Sequence, residues 1–458
     1  MEIQRFMHKV HLIAIGGAAM HNLALALQYK GYEVTGSDDE IYNPSRGRLE
    51  AAGLLPDEMG WNADRITADL DTVIVGMHAR KDNPELKKAV DLGLNVVSYP
   101  EFIYQESVNK TRVVIGGSHG KTSTTAMILH VLNYWNIDAD YLVGAQLQGF
   151  DRMVRLSDAP IIVIEGDEYL ASPLTPVPKF HFYKPHLAIL TGIAWDHINV
   201  FPTFENYVSQ FEIFVKSIEE NGTLAYYTGD DILKKMSEEN GQHLQLKPYN
   251  TLKHTIKNGE TFVNYRGHNN ALEIFGKHNL QNLNAARIIC NQLKINNKRF
   301  FEAIENFSGA AKRLQRIVKN ETNVAFLDFA HAPSKVQATT NAVKAQFDEH
   351  QVVACFELHT FSSLNEQFLH QYQNAMNAAD KAFVYFSEHT LKMKRLPMIT
   401  KAQVAEAFNH PNMEVFTETE VLQEKLKSMN WDKKVLLMMS SGNFHGIDVK
   451  EFCGELLR

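Results

Sequence analysis

Apolar residues along this chain fall in short β-branched runs separated by stretches with helical spacing. Val10-His-Leu-Ile-Ala-Ile15 is followed by a helical pattern over Asn22 to Lys30, and then by Glu33-Val-Thr-Gly-Ser-Asp38. Thr72-Val-Ile-Val75 and Asn95-Val-Val-Ser98 continue the series. Strands that alternate with helices predict a parallel sheet covered on its faces, so the class is α/β. A second unit begins with the strand at Val113 and carries two more buried-looking strands, Pro160-Ile-Ile-Val-Ile164 and Leu187-Ala-Ile-Leu-Thr191. The pattern resets near Phe307-Ser-Gly-Ala310. Four further strands, Val324 to Asp328, Gln351 to Phe356, Ala382 to Tyr385 and Val435 to Ser440, predict a third α/β unit. The expected domains are 1–107, 108–308 and 309–458, consistent with a length of 458 residues and about 150 residues per domain.

The chemistry concentrates first in Val113-Val-Ile-Gly-Gly-Ser-His-Gly-Lys121-Thr-Ser-Thr-Thr125. A strand here enters a glycine-rich turn and then a helix, an arrangement suited to nucleotide phosphates. The N–H groups of Ser118, His119 and Gly120 and the positive end of the helix dipole would face the anion, beside Gly117 and Ser123. Lys121 would reach the terminal phosphates, and the Thr122 hydroxyl would ligate Mg2+. Position 115, where the first glycine of the eight-residue spacing belongs, is Ile, so the motif is the shorter Gly117-Ser-His-Gly-Lys-Thr122.

Strand ends near such a turn are where an α/β site collects its ligands. Glu165-Gly-Asp-Glu-Tyr169 places Glu165 to bind Mg2+, with Asp167 and Glu168 as helpers, although such a run is otherwise an exposed acidic turn. Thr191-Gly-Ile-Ala-Trp-Asp-His197 offers His197 for a second metal or a transferred phosphate. In Gly276-Lys-His-Asn-Leu-Gln-Asn282, Asn279 and Asn282 share a helix face and could pair with an adenine edge, or simply cap the helix. Arg313, Asp328 and His331 belong to the third unit and would close over the nucleotide. Taken singly, Arg313 reads as a surface charge and Asp328 as a strand-end cap. The turn Gly16-Gly17-Ala18-Ala19-Met20, with Ser37 and Asp38 at the next strand end, lacks the full GxGxxG spacing but suits a diphosphate, whether of a nucleotide-sugar or of NAD.

Composition narrows the field. Hydrophobic residues make up 45% and charged residues 22%, enough for large cores with no low-complexity segment. The net charge of −7 disfavours a general nucleic-acid binder. No apolar run reaches the roughly 18 residues of a membrane span, and the first residues show no signal-peptide pattern, so a cytoplasmic location without membrane association is expected. Cys290, Cys355 and Cys453 are widely spaced, so they are expected to be buried thiols and not disulfides or zinc ligands.

Taken together and in this order, Gly-Ser-His-Gly-Lys-Thr, Glu-Gly-Asp-Glu, Asp196-His197, Gly-Lys-His-Asn-Leu-Gln-Asn and Asp328-Phe-Ala-His-Ala-Pro333 resemble the Mur ligase family over essentially the whole chain. The resemblance implies Rossmann-like N- and C-terminal domains around a central P-loop ATPase-type domain. It implies ATP-dependent, ADP-forming amide synthesis with Mg2+ through an acyl phosphate, with Lys121, Glu165 and His197 catalytic and Thr122, Glu165 and His197 on metal. Ile15 to Met20 and Gly36-Ser-Asp38 resemble the branch that takes UDP-N-acetylmuramate, and Tyr207-Val-Ser-Gln-Phe-Glu212 lacks a lysine that other branches carbamylate.

The partner amine would then be an amino acid or short peptide, bound on the third domain near Glu357, His359, Thr360, Ser441, Asn443 and His445. Glu40-Ile-Tyr-Asn-Pro-Ser45 and Lys179-Phe-His-Phe-Tyr-Lys-Pro185 resemble stretches of members that reattach the recycled tripeptide L-alanyl-γ-D-glutamyl-meso-diaminopimelate, the expected substrate; L-alanine is the alternative. Gly192, Leu170 and the arginine-free loop Glu357-Leu-His-Thr360 depart from the family pattern. A monomer or weak homodimer is expected. An NAD-linked oxidoreductase would leave Lys121 and Glu165 without a role, and the muramate-type N-terminus argues against γ-glutamyl addition to folate. A non-catalytic nucleotide-binding regulator is the remaining rival, separated by acceptor-dependent ADP release.

Overall fold

A computed structural model of the chain describes residues 8–147, 149–150, 152–172, 175–195, 200–257, 259–265, 267–310 and 313–458. These form two compact units, one of residues up to 250 with 285–300, the other of 251–284 with 301–458.

The first unit holds two sheets. Strands β1 (Lys9–Ile13), β2 (Glu33–Ser37), β3 (Thr72–Val75) and β4 (Asn95–Ser98) form an all-parallel sheet in the order β2-β1-β3-β4. The second contains β5 (Thr111–Gly116), β6 (Asp140–Leu142), β7 (Val154–Arg155), β8 (Ile161–Glu165), β9 (Leu187–Leu190), β10 (Thr223–Tyr227) and β11 (Gln245–Tyr249), ordered β11-β10-β9-β5-β8-β6-β7. Val113, Val114, Ile162, Val163, Ile164, Ala188 and Ile189 are fully buried, as strands covered on both faces require. The chain leaves β5 toward β6 on one side and later adds β9 on the other. The carboxyl end of β5 is therefore a topological switch point, where an open α/β sheet leaves a crevice.

In the second unit β12 (His254–Lys257), β13 (Glu260–Tyr265) and β14 (His268–Leu272) form a small antiparallel sheet. Strands β15 (Gln315–Lys319), β16 (Val324–Asp328), β17 (Gln351–Leu358), β18 (Lys381–Phe386), β19 (Met413–Phe416) and β20 (Lys434–Met439) order as β15-β16-β20-β17-β18-β19. All their pairings are parallel except β15 with β16.

All the strands expected from apolar runs are present, most within two residues of the expected bounds. The small antiparallel sheet was not anticipated, because β12 is exposed along its length and has no buried face to write a pattern. Cys290, Cys355 and Cys453 are buried free thiols, and burial pushes the Cys453 thiol up to about 12. No helix among the described residues is long and apolar enough to cross a membrane.

Candidate functional site

Strand β5 runs into the turn Gly117 to Gly120, and the helix Lys121–Tyr134 starts immediately after it. Gly117 at φ +119° and Gly120 at φ +75° occupy backbone regions that favour glycine. A Cβ on Gly117 would also run into the Thr191 hydroxyl and come within 2.8 Å of the Thr191 nitrogen. The turn is stitched to the segment after β9: Ser118 N–H donates to Gly192 O at 3.0 Å, and Ala194 N–H donates to Ser118 Oγ at 2.6 Å. The Ser118 N–H, expected to face an anion, is thus committed to the protein. The first N–H groups of a helix lack intrahelical acceptors, so the start of Lys121–Tyr134 keeps its capacity for an anion.

Thr122 Oγ1 donates to Glu165 Oε1 at 2.8 Å, and Gly144 N–H holds Glu165 Oε2 at 2.9 Å. Hard oxygen ligands on neighbouring corners of a Mg2+ octahedron lie about 3 Å apart, so this hydroxyl–carboxylate pair fits the ion. His197 and Asp196 lie outside the described residues.

Asp167 and Glu168 do not assist Glu165. Glu168 is fully buried, and Lys121 Nζ donates to its Oε2 at 2.5 Å and to Gly117 O at 2.7 Å. Burial opposes the Lys121 charge, yet the carboxylates of Glu168, Asp167 and Glu165 hold its pKa above the ordinary value. Asp167 pairs with Lys179 at 2.8 Å; burial opposes its charge, but Lys179 and Lys121 keep its carboxyl below the usual range. Within the stretch 179–185, Lys179 is thus held by Asp167. Phe180 is fully buried and stacked on Phe214 with centroids 4.8 Å apart, and Tyr183 is buried as well.

In the N-terminal sheet the turn Ala14 to Gly17 joins β1 to the helix Ala18–Lys30, which begins with Ala18, Ala19 and Met20. Gly16 N–H donates to Asp38 Oδ2 at 2.7 Å, and a Cβ on Gly16 would approach that oxygen to 2.9 Å. Burial, aided by neighbouring Asp39, raises the Asp38 carboxyl to about 6. Ser37 Oγ donates to the buried Glu85, which also accepts from Asn62 N–H at 2.9 Å and lies 3.5 Å from His11 Nε2. Glu85, which the sequence did not single out, thus holds the Ser37 hydroxyl, with His11 beside it.

In the second unit Asp328 ends β16 and accepts from Leu314 N–H at 2.5 Å and Ala330 N–H at 2.7 Å. It acts as the strand-end cap, and its charge opposes the burial that lowers the His278 pKa. The Arg313 guanidinium lies over the Phe329 ring at 4.7 Å, and His331 Nδ1 is 3.0 Å from Phe329 O. Asn279 and Asn282 are both buried; Asn279 Nδ2 donates one of its two N–H groups to Phe275 O at 2.9 Å.

Glu357 and His359, at the carboxyl end of β17, meet the loop after neighbouring β20. Glu357 accepts from Ser440 Oγ and from Phe444 N–H, the latter at 2.8 Å, and lies 3.6 Å from His359 Nδ1. Among the described residues the Ser441 Oγ is buried without a hydrogen-bond partner. Thr360 Oγ1 is 3.0 Å from Ser363 Oγ, Asn443 Oδ1 accepts from Gly446 N–H, and the His445 ring faces His389. Glu357, His359 and Ser441 therefore share one strand-end cluster, whereas Thr360 and Asn443 brace their own turns.

Comparison with known proteins agrees with this anatomy. The Mur ligase middle domain matches residues 115–290, and the Mur ligase family catalytic domain matches residues 9–109. A UDP-N-acetylmuramate–L-alanine ligase of Levilactobacillus brevis is 31% identical over 389 residues, covering 82% of each chain. The crystal structure of a UDP-N-acetylmuramate–alanine ligase from Thermotoga maritima superposes with a TM-score of 0.69 at 21% identity, over 95% of this chain and 96% of that one. A UDP-N-acetylmuramate:L-alanyl-γ-D-glutamyl-meso-diaminopimelate ligase from Neisseria meningitides is 25% identical with a TM-score of 0.59, over 66% of this chain and 98% of that one.

Proposed function

We propose, from the premise that this chain belongs to the Mur ligase family, that it joins L-alanine to UDP-N-acetylmuramate in the cytoplasm. As a member it is an ATP-dependent, ADP-forming amide ligase that uses Mg2+ and acts on UDP-N-acetylmuramate. The 31% identity to an L-alanine ligase carries the choice of amine. The recycled tripeptide is the second reading, favoured by the similarity of 40–45 and 179–185 to recycling members and by the solved tripeptide ligase; the burial of Phe180 and Tyr183 weakens the former.

Phosphorylation by ATP would turn a carboxylate oxygen of the muramate into a leaving group that the amine displaces. The chain's own contribution is positioning and charge neutralisation, the effects that dominate phosphoryl transfer. Lys121 and the start of its helix face the phosphates, with Gly117 to Gly120 forming the loop and Thr122 and Ser123 in the first turn of the helix. Thr122 and Glu165 hold Mg2+, with His197 as a further ligand. Gly16 to Met20, Ser37 and Asp38 take the uridine nucleotide. Asn279, Asn282, Arg313, Asp328 and His331 serve the nucleotide, and Glu357, His359 and Ser441 the amine. The domains are 1–107, 108–308 and 309–458, in a monomer or weak homodimer that binds neither nucleic acid nor membrane.

The deciding experiment incubates the protein with ATP, Mg2+ and UDP-N-acetylmuramate, offers L-alanine or tripeptide in parallel, and follows phosphate release and product mass. Preference for L-alanine is expected. Preference for the tripeptide would select the second reading, and acceptor-independent phosphate in both tubes would overturn muramate ligation.

A further inference from the structure

The helix Phe204–Ser217 opens with Thr203 as its cap, and Tyr207 sits in its first turn, with its own N–H bonded to Thr203 O at 3.1 Å. The side chain is fully buried. Phe201 and Phe211 flank the ring at centroid distances of 5.3 and 5.1 Å, the latter edge-on, so packing fixes where the hydroxyl points. That hydroxyl lies 3.2 Å from Glu168 Oε1 and 3.1 Å from Ser118 Oγ.

Donor arithmetic gives the chain one direction. Ionised Glu168 accepts only, so the Tyr207 proton goes to Oε1. Ser118 Oγ already accepts from Ala194 N–H, and its own proton has two acceptors in reach, the Tyr207 oxygen at 3.1 Å and Gly192 O at 3.4 Å, of which the nearer is Tyr207. The series is Ala194 N–H to Ser118, Ser118 to Tyr207, and Tyr207 to Glu168, whose other oxygen takes Lys121. Hydrogen bonds aligned in this way inside a protein polarise one another.

We propose that Tyr207 is a positioning residue for ATP binding, linking Ser118 of the phosphate loop to Glu168 and setting how firmly Glu168 retains Lys121. A carboxylate buried as fully as Glu168 needs donors on both oxygens. With the tyrosine hydroxyl on Oε1, Lys121 moves toward a phosphate without stripping Glu168 of its last donor in this network. Without that hydroxyl the carboxylate depends on Lys121 alone within the network, and incoming phosphates compete against a tighter ion pair. Ser118 loses its link to the helix at the same time.

The inference rests on the ATP-binding role of this loop, and its test is separable from the choice of amine. Tyr207→Phe keeps the ring and its packing and removes only the hydroxyl. The dissociation constant of Mg-ATP, measured by direct titration, and the KM for ATP are expected to rise about tenfold, the size of a lost hydrogen bond to a charged group. The KM for UDP-N-acetylmuramate should stay close to wild type and kcat within about threefold, while the melting temperature falls by a few degrees because Glu168 Oε1 loses its donor. A purely structural role would weaken the binding of both substrates together. In a Glu168→Gln background the same Tyr207→Phe change should no longer weaken ATP binding, because the two act through one carboxylate.

Unchanged ATP affinity in Tyr207→Phe, or an undiminished effect in the Glu168→Gln background, would overturn the inference. A wild-type protein that binds ATP but releases no acceptor-dependent phosphate would overturn the ligase reading alone, with the titration still deciding the role of Tyr207. A wild type that does not bind ATP would overturn both.

Discussion

The Thr122 hydroxyl and the Glu165 carboxylate, 43 residues apart in sequence, lie 2.8 Å from each other at the carboxyl ends of adjacent strands. Register explains the meeting. Strands β5 and β8 pair in parallel with Ile115 beside Glu165, so the residue ending one strand faces the helix that begins just beyond the other. The second Glu165 oxygen is held by Gly144 N–H, which leaves the carboxylate little freedom to turn.

Replacing Glu165 with Ala is expected to remove one metal ligand and to strand the Thr122 and Gly144 donors. A fall in kcat of about 100-fold or more is expected, the scale seen when one group that stabilises transition-state charge is lost. Steady-state phosphate release across a Mg2+ titration checks it, and a rightward shift in the Mg2+ requirement should accompany the loss.

Lys121→Met should abolish turnover and also destabilise the fold, because it leaves Glu168 buried and uncompensated. Breaking a buried pair from one side costs about 3–5 kcal/mol. Denaturant unfolding of Lys121→Met beside the double variant Lys121→Met/Glu168→Gln separates the two effects: the double variant should recover most of the stability and none of the activity.

A side chain at position 117 meets both a forbidden φ and the Thr191 hydroxyl. Gly117→Ala is expected to cost about 1–3 kcal/mol of stability from backbone strain alone. ATP binding should weaken with it, since relief of the clash has to move the loop. Thermal unfolding and nucleotide titration together report both.

The Asp38 carboxyl, raised by burial to about 6 from 3.8, binds a proton more readily in the folded than in the unfolded chain. Between those two values the native state holds the extra proton, so this group's contribution to stability is present at the acidic end and is lost as pH rises through about 6. Asp38→Asn, whose carbonyl still accepts from Gly16, should flatten that part of the profile. Denaturant midpoints at pH 4.5 and 7 read it directly.

Phe180→Ala should lower stability by about 3–5 kcal/mol, as expected for a buried aromatic ring. The ratio of L-alanine to tripeptide turnover should not change, because the ring packs on Phe214 and Phe211 in the core. A changed ratio would return this stretch to amine selection.

Much of the candidate site's layout was legible because its parts are local. A glycine turn between an apolar strand and a Lys-Thr helix start is a contiguous pattern, and its backbone requirements at Gly117 and Gly120 appear directly as glycine. The same is true of Gly16 and Asp38, which flank a single β-α-β unit. Acidic residues in a row were harder. Glu165, Asp167 and Glu168 look alike in sequence, yet one faces Thr122, one Lys179 and one Lys121. Tyr207 carried no signal, since an aromatic at helical spacing reads as core, and most of its ring is indeed core.

The sequence by itself determined the alternation of strands and helices, the places where glycine relieves backbone strain, and the stations along the chain where polar groups follow buried strands. Those properties depend on neighbours a few residues apart, which local propensity and periodicity encode. Only the tertiary structure decided which stations meet. The order β9-β5-β8 brings the segments after residues 116, 165 and 190 to one end of the sheet, and that order follows from crossovers whose hydrophobic patterns are interchangeable. It was this packing, and no feature of the acidic run, that assigned Glu168 to Lys121 and placed the Tyr207 hydroxyl beside them.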